Sequence, residues 1–146
     1  MRICEPDIGH IHGLRDLWKL VFGDGDDFLE VFFGTAYAPE RCLCIMDADT
    51  AAGALYWLPC DNYAYIYAVA THPDHRGRGF AKKLVRAVLE TAEFDKIYVL
   101  ISRKNAPSIA VHTACGFRKI FDYAVYADGS VLHSSDTYLY EKPRCS

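Results

Sequence analysis

Apolar positions along the chain recur at two periods. Near the N-terminus, Ile11, Leu14, Leu17, Trp18, Val21 and Phe22 recur at intervals of three and four. That spacing puts them on one face of a helix that begins near Ile8. Residues 2–5 read as a short strand ahead of it, and Pro6-Asp7 as a turn with Asp7 as the helix cap. Gly23-Asp24-Gly25 breaks this helix, and Asp26 or Asp27 is expected to cap a second one carrying Phe28, Val31, Phe32 and Phe33. Tyr37-Ala38-Pro39 ends it. The period then shortens. Residues 41–48 and 52–59 predict two strands joined by the turn Asp47-Ala48-Asp49-Thr50, and Asp61-Asn62 marks a second turn. Residues 63–71 predict a third strand, with Tyr63, Tyr65, Tyr67 and Val69 alternating onto one face. A polar, glycine-containing loop follows, then an amphipathic helix over 80–92 with Leu84, Val85, Val88 and Leu89 inward. Residues 96–101 predict a strand, and 106–115 a helix stopped by Gly116. Two last strands are expected at 117–124 and 137–141, around an irregular stretch containing Asp128-Gly129.

The predicted order is β-α-α-β-β-β-α-β-α-β-β. Runs of antiparallel strands followed by alternation imply an α/β (α+β) fold with a mixed sheet and helices packed on it. A length of 146 residues fits one domain, expected to span 1–146. Composition narrows the class. With 51% apolar and 24% charged residues, a disordered or collagenous chain is excluded. The formal charge of -3 removes the pervasive basic surface of a nucleic-acid binder. No apolar run reaches the ~18 residues of a membrane span, and the N-terminus lacks a signal-peptide core, so a cytoplasmic protein is expected. The six cysteines include no CxxC pair and read as small reduced core residues. Cys42 and Cys44 share one face of their strand.

The segment richest in chemistry is Val69-Ala70-Thr71-His72-Pro73-Asp74-His75-Arg76-Gly77-Arg78-Gly79-Phe80-Ala81-Lys82-Lys83. A strand enters a glycine turn that opens a helix. The first amides of a helix lack internal partners and its dipole is positive there, which makes the end an anion site. Gly77 and Gly79 let the backbone approach a phosphate without a Cβ in the way. Arg76, Arg78, Lys82 and Lys83 add positive charge. The expected ligand therefore carries phosphate. It is not held by a P-loop, because G-x-x-x-x-G-K-[ST] is absent, nor by a dinucleotide fingerprint, because Lys82 stands at the third glycine position. His72-x-x-His75 has no acidic or cysteine company as a metal site, and no metal is expected.

Arg76-Gly77-Arg78-Gly79-Phe80-Ala81 resembles the [Q/R]-x-x-G-x-[G/A] signature of the GNAT superfamily of acyl-CoA N-acyltransferases. Downstream, Asn105-Ala106-Pro107-Ser108-Ile109-Ala110-Val111-His112-Thr113-Ala114-Cys115-Gly116-Phe117 is similar to the N-x-x-A-x-x-x-Y-x-x-x-G-F segment of that family. The resemblance covers the whole chain and implies a GNAT-like three-layer fold, with a splayed, mostly antiparallel sheet and helices on both faces. It implies acetyl-CoA as co-substrate and transfer of the acetyl group to a primary amine of a small molecule or peptide by direct attack. Val69, Ala70 and Thr71 would pair with the pantetheine arm. The amides of Arg76, Gly77, Arg78, Gly79, Phe80 and Ala81 would take the pyrophosphate, and Asn105 would contact the cofactor arm.

Two positions depart from the family pattern. Counting back from the loop, Tyr65, a candidate catalytic residue with a place in the core or pocket wall as its other reading, stands where well-known members place a base glutamate. Its ordinary pKa near ~10 makes it a poor base at neutral pH, which leaves Asp61, a water chain or positioning alone. His112 stands at the tyrosine that would protonate the leaving thiolate. It is a candidate acid and cofactor contact, with packing beside the cofactor as the other reading. For the amine, the carboxylates of Gly23-Asp24-Gly25-Asp26-Asp27 are candidate attractors. The missing glutamate also motivates an alternative, a catalytically weak acyl-CoA-binding sensor or interaction module. A homodimer is compatible with either.

Overall fold

The computed structural model describes residues 2–91, 94–133 and 136–143, and Cys145 and the last residue of the expected 80–92 helix fall outside them. The fold is mixed α/β with a mostly antiparallel seven-stranded sheet. Its elements are β1 (Ile3–Cys4), α1 (Ile11–Phe22), α2 (Asp26–Val31), β2 (Cys42–Asp47), β3 (Thr50–Cys60), β4 (Tyr63–Thr71), α3 (Phe80–Thr91), β5 (Lys96–Ser102), α4 (Ala106–Ala114), β6 (Arg118–Phe121), β7 (Ala124–Val125), β8 (Val131–Leu132) and β9 (Thr137–Pro143). The chain divides into two compact units, residues 1–56 with 68–84, and residues 57–67 with 85–146. The boundaries fall inside β3, β4 and α3.

In the first unit, β1 and β2 pair antiparallel, as do β2 and β3. Asp7 caps a 3-10 turn, Ile8–His10, that leads into α1. Leu14, Leu17 and Trp18 are the buried face of α1, as their spacing predicts. Gly23, at φ 70°, closes the helix in the left-handed conformation. The cap of α2 differs from expectation. Gly25 takes the N-cap position with no side-chain cap, while Asp26 and Asp27 lie in the first turn. Asp26 instead accepts from Lys19 Nζ at 3.0 Å. The five-residue π-helical turn Phe32–Ala36 follows, and it turns Phe32 onto Trp18 with ring centres 5.9 Å apart. Phe32 also meets Tyr56 edge-on at 5.3 Å. Tyr56 Oη donates to the Ala36 carbonyl and accepts from the Ala38 amide, so this aromatic core also fixes the chain leaving the turn.

In the second unit, β4 pairs parallel with β5, and β9 lies antiparallel between β5 and β6. The strand expected over 117–124 is two strands. Asp122 and Tyr123 interrupt it, and β7 pairs with β8 as a separate ribbon rather than continuing β6. Asp128-Gly129 is the turn of that ribbon, with Gly129 at φ 88°. Glu141 on β9 is buried, yet its carboxylate has Lys96 at 3.7 Å and Arg118 at 3.8 Å. A buried charge of this kind persists only when paired.

Candidate functional site

In the first unit, β4 delivers the chain into the glycine loop. The His72 amide donates to the Ala52 carbonyl at 2.8 Å, and His72 Nδ1 accepts from the Asp74 amide at 3.1 Å. The 3-10 turn Pro73–His75 follows. His75 is buried, stacks on Phe80 and sets Nε2 3.1 Å from the Asp47 carboxylate. Both histidines therefore shape the loop. Gly53 on β3 permits the underlying packing, since a Cβ there would sit 3.3 Å from Leu84 and 3.4 Å from the Ala70 carbonyl.

Gly77 at φ 80° and Gly79 at φ 75° both adopt the left-handed conformation, which costs an L-residue roughly 1–2 kcal/mol. A Cβ on either would meet nothing within 4 Å, so the space over the loop is open. The backbone geometry thus demands glycine independently of any ligand. Lys83 donates its amide to the Gly79 carbonyl at 3.0 Å, so Gly79 opens α3. The amides of Phe80 and Ala81 lie in the first helical turn, where intrahelical acceptors are lacking. The Phe80 side chain is buried, and this residue offers its backbone alone. Arg76 and Arg78 are exposed. Val69, Ala70 and Thr71 form the last turn of pleat before the loop, with Ala70 buried.

The second unit holds the remaining expected site residues. Asn105 caps α4, its Oδ1 accepting from the Ser108 amide at 3.2 Å. Arg103 and Lys104, just before it, pair with Asp136 at 3.1 and 3.7 Å. His112 is 1% exposed. Its Nδ1 lies 2.8 Å from the Ser108 carbonyl, which only an N–H can approach, so Nδ1 carries the proton. Nε2 is then a bare acceptor, buried and without a hydrogen-bond partner among the described residues. Burial holds the His112 pKa below its ordinary value, against a smaller opposing effect of the Ser108 carbonyl. The ring is neutral at neutral pH, and donation of a proton from it first requires uptake of one.

Tyr65 is buried, and its hydroxyl donates to the Val125 carbonyl at 2.8 Å. Burial, with Tyr63 and Tyr98 beside it, pushes its pKa up to about 12. It is a neutral phenol whose proton ties β4 to β7, with no basic form at physiological pH. It also lines a cavity of about 410 Å³ walled by Tyr67, Tyr126, Leu58 and Leu100, with Asp128 as the charged lining residue. The cavity has a topological cause. The β4–β5 pairing covers Tyr63–Ile66 against Lys96–Val99 and stops there, although both strands continue. Tyr67 and Leu100 are the first residues beyond the last pair, and both face the opening.

Asp128 is exposed, and its carboxylate accepts from the Ser130 amide at 2.8 Å and the Ser130 hydroxyl at 2.6 Å. These bonds hold its pKa below the usual carboxylate range. Sequence reasoning did not place Asp128 at this cavity. Its local signal was the Asp-Gly-Ser turn, but a turn motif carries no information about the wall it completes. The acidic run at 24–27 lies in the first unit, and neither it nor Asp61 lines the cavity.

Thus β4 parts from its parallel neighbour β5 and runs through a left-handed glycine turn into α3. The model of the acetyltransferase (GNAT) family matches residues 11–117, and the chain belongs to that family. Among curated relatives, a prophage-derived uncharacterized N-acetyltransferase of Bacillus subtilis is 28% identical over 102 residues, covering 61% of this chain and 58% of the relative. The mycothiol acetyltransferase of Clavibacter michiganensis is 28% identical over 105 residues, covering 68% of this chain and 33% of the relative. The matches therefore span less than two thirds of these relatives' lengths. Among solved structures, the ribosomal-protein-S18-alanine N-acetyltransferase of Escherichia coli superposes with a TM-score of 0.77 at 16% identity, over 99% of this chain and 94% of the other. The spermidine N-acetyltransferase of Vibrio cholerae, solved with CoA and spermine, gives 0.72 at 15% identity, over 98% and 95%. At such identities the likeness is one of fold.

Proposed function

We propose that the protein is an acetyl-CoA-dependent N-acetyltransferase that passes the acetyl group directly to a primary amine. The observation that carries this reading is the glycine loop, with Gly77 and Gly79 in left-handed conformations under open space at the start of α3. The amides of residues 76–81 take the pyrophosphate, helped by the exposed Arg76 and Arg78, and Val69, Ala70 and Thr71 take the pantetheine arm by strand-like pairing. Asn105, whose Oδ1 is committed to Ser108, offers its Nδ2 to the cofactor arm. The attacking nitrogen must be neutral, and the oxyanion formed at the thioester carbonyl is stabilised by a backbone amide of β4. His112, neutral with a bare Nε2, protonates the departing thiolate only after it has received a proton from the reacting amine.

The acceptor is an amine with an apolar or aromatic body. Three tyrosines supply faces for that body and for its cation, and Asp128, anionic through the neutral range, supplies one opposite charge. A polyamine would find only this single carboxylate among the residues lining the cavity. A second reading, an acyl-CoA-binding module with little turnover, is favoured by Tyr65, a neutral phenol at the position of the family's base.

The test is the thermal midpoint with acetyl-CoA, CoA, ATP and NAD in parallel, followed by thiol release with a panel of amines. A ligand at ~100 times its Kd adds about 2.7 kcal/mol, enough to raise the midpoint by several degrees. A rise with both CoA species alone is expected. No rise with either overturns the cofactor assignment, and a rise with no thiol release from any amine selects the binding module.

A further inference from the structure

Three donor side chains of the first unit converge away from the glycine loop. Cys4 and Cys44 face each other directly in the β1–β2 register, with their Sγ atoms 3.6 Å apart. The 3-10 turn after β1 folds His10 back onto them, so that one ring nitrogen and the two sulfurs all lie within 4.8 Å of one another. Two thiolates on one tetrahedral zinc, at Zn–S of about 2.3 Å, sit about 3.8 Å apart. The observed sulfur separation is close to that value and far from the ~2.05 Å of a disulfide. We infer that Cys4, His10 and Cys44 form a site for one thiophilic divalent cation, with zinc as the ion it fits and water in the fourth position.

The chemistry of the donors selects the ion. Two sulfurs and an imidazole suit zinc and disfavour magnesium or calcium, which take oxygen ligands. Access is provided as well, because Cys4 and His10 are half-buried while Cys44 forms the closed floor. Cys42, on the same face of β2, directs its thiol to the Leu43 carbonyl at 3.8 Å and stands outside the triad. The donors come from β1, the turn and β2. An ion would therefore clip the N-terminal segment to the sheet, where β1 alone holds it by two register pairs. Two existing bonds must yield, the S–H···S bond between Cys4 and Cys44 and the one in which His10 Nδ1 accepts from the exposed Asp7 amide at 3.2 Å. Coordination through either ring nitrogen of His10 ends its acceptance from Asp7, and water can take that amide. Each thiol gives up its proton on binding, so two protons leave per ion.

The test uses the full chain, reduced and stripped with a chelator, titrated with Co²⁺ in absorption and with Zn²⁺ by calorimetry in buffers of different ionisation enthalpy. The expected result is one equivalent of metal, a thiolate-to-cobalt charge-transfer band that Zn²⁺ abolishes, and release of about two protons. Cys4→Ser is the variant to make, because Cys44 is deeply buried and its replacement endangers folding. It should lose the band and bind at least about tenfold more weakly, as should His10→Ala. Cys60→Ser, in the second unit, should behave as the parent. No stoichiometric uptake, or a band that survives Cys4→Ser, overturns the site. Loss of two hydrogens from the Cys4–Cys44 pair in air, with no metal uptake after re-reduction, overturns it in favour of a disulfide. None of these readouts depends on acetyl transfer, so failure here leaves the proposed function standing.

Discussion

His112 shows how a single buried group couples the site to pH. Its folded-state pKa lies below the ordinary value near 6.5, because burial penalises the imidazolium. In the unfolded chain the ring takes a proton as pH falls through about 6.5, while in the folded chain it resists. The unfolded state then binds more protons, so stability is full above that pH and declines below it. Thermal midpoints of the parent should fall on going from pH 7.5 to 5.5, and His112→Gln should flatten that part of the curve. A parent curve flat across this window would contradict the assignment of a neutral ring. At Gly79 the expectation is sharper. Gly79→Glu sets a carboxylate where the pyrophosphate is proposed to lie, and should abolish acetyl-CoA binding in isothermal titration. Gly79→Ala separates strain from blockage, since it carries the left-handed penalty of roughly 1–2 kcal/mol in stability without the charge.

At the scale of elements, the parting of β4 from β5 and the β7–β8 ribbon together make the cavity. Asp128 is held by Ser130 at the turn of that ribbon, so its charge is a property of the turn. Asp128→Asn should raise KM for an apolar amine several-fold while leaving acetyl-CoA affinity unchanged, measured by initial rates of thiol release. An equal KM would remove Asp128 from amine recognition. Helix α1 carries a separate constraint. A Cβ on Gly13 would lie 2.6 Å from the Asp49 carbonyl in the β2–β3 turn. The gain in helix propensity of Gly13→Ala, about 1 kcal/mol, is outweighed by overpacking of about 1–3 kcal/mol against backbone. Urea unfolding should show a net loss of stability. Periodicity made α1, β2, β3, β4 and the glycine loop legible in the sequence, because each is written in local spacing and punctuation. It could not separate β6 from β7, since Phe121 to Ala124 is apolar throughout apart from Asp122, and only the pairing partners, β9 and β8, tell the strands apart. At α2 the cap position is held by Gly25, and Asp26, expected as a cap, instead pairs with Lys19 seven residues before it. The cavity was illegible for the same reason as β7, its walls being residues 58, 65–67, 100 and 126–128, brought together by pairing alone.

Across the whole molecule, each unit is assembled from distant stretches of chain. The first needs residues 68–84 as well as 1–56, and the second needs 57–67 as well as 85–146. Contacts of such long sequence separation make folding slow relative to a helical bundle of equal length. Synthesis must also pass residue 84 before the first unit has all its parts, and the family match over residues 11–117 runs through both units. The same interleaving limits how the gene can be recombined. A single crossover with a distant relative, wherever it falls between residues 1 and 146, leaves at least one unit built from two parents. Breakpoints that respect the units come as a set, after residues 56, 67 and 84. A library of shuffled sequences should therefore recover folded chimaeras from exchanges at all three points and lose them from exchanges at one.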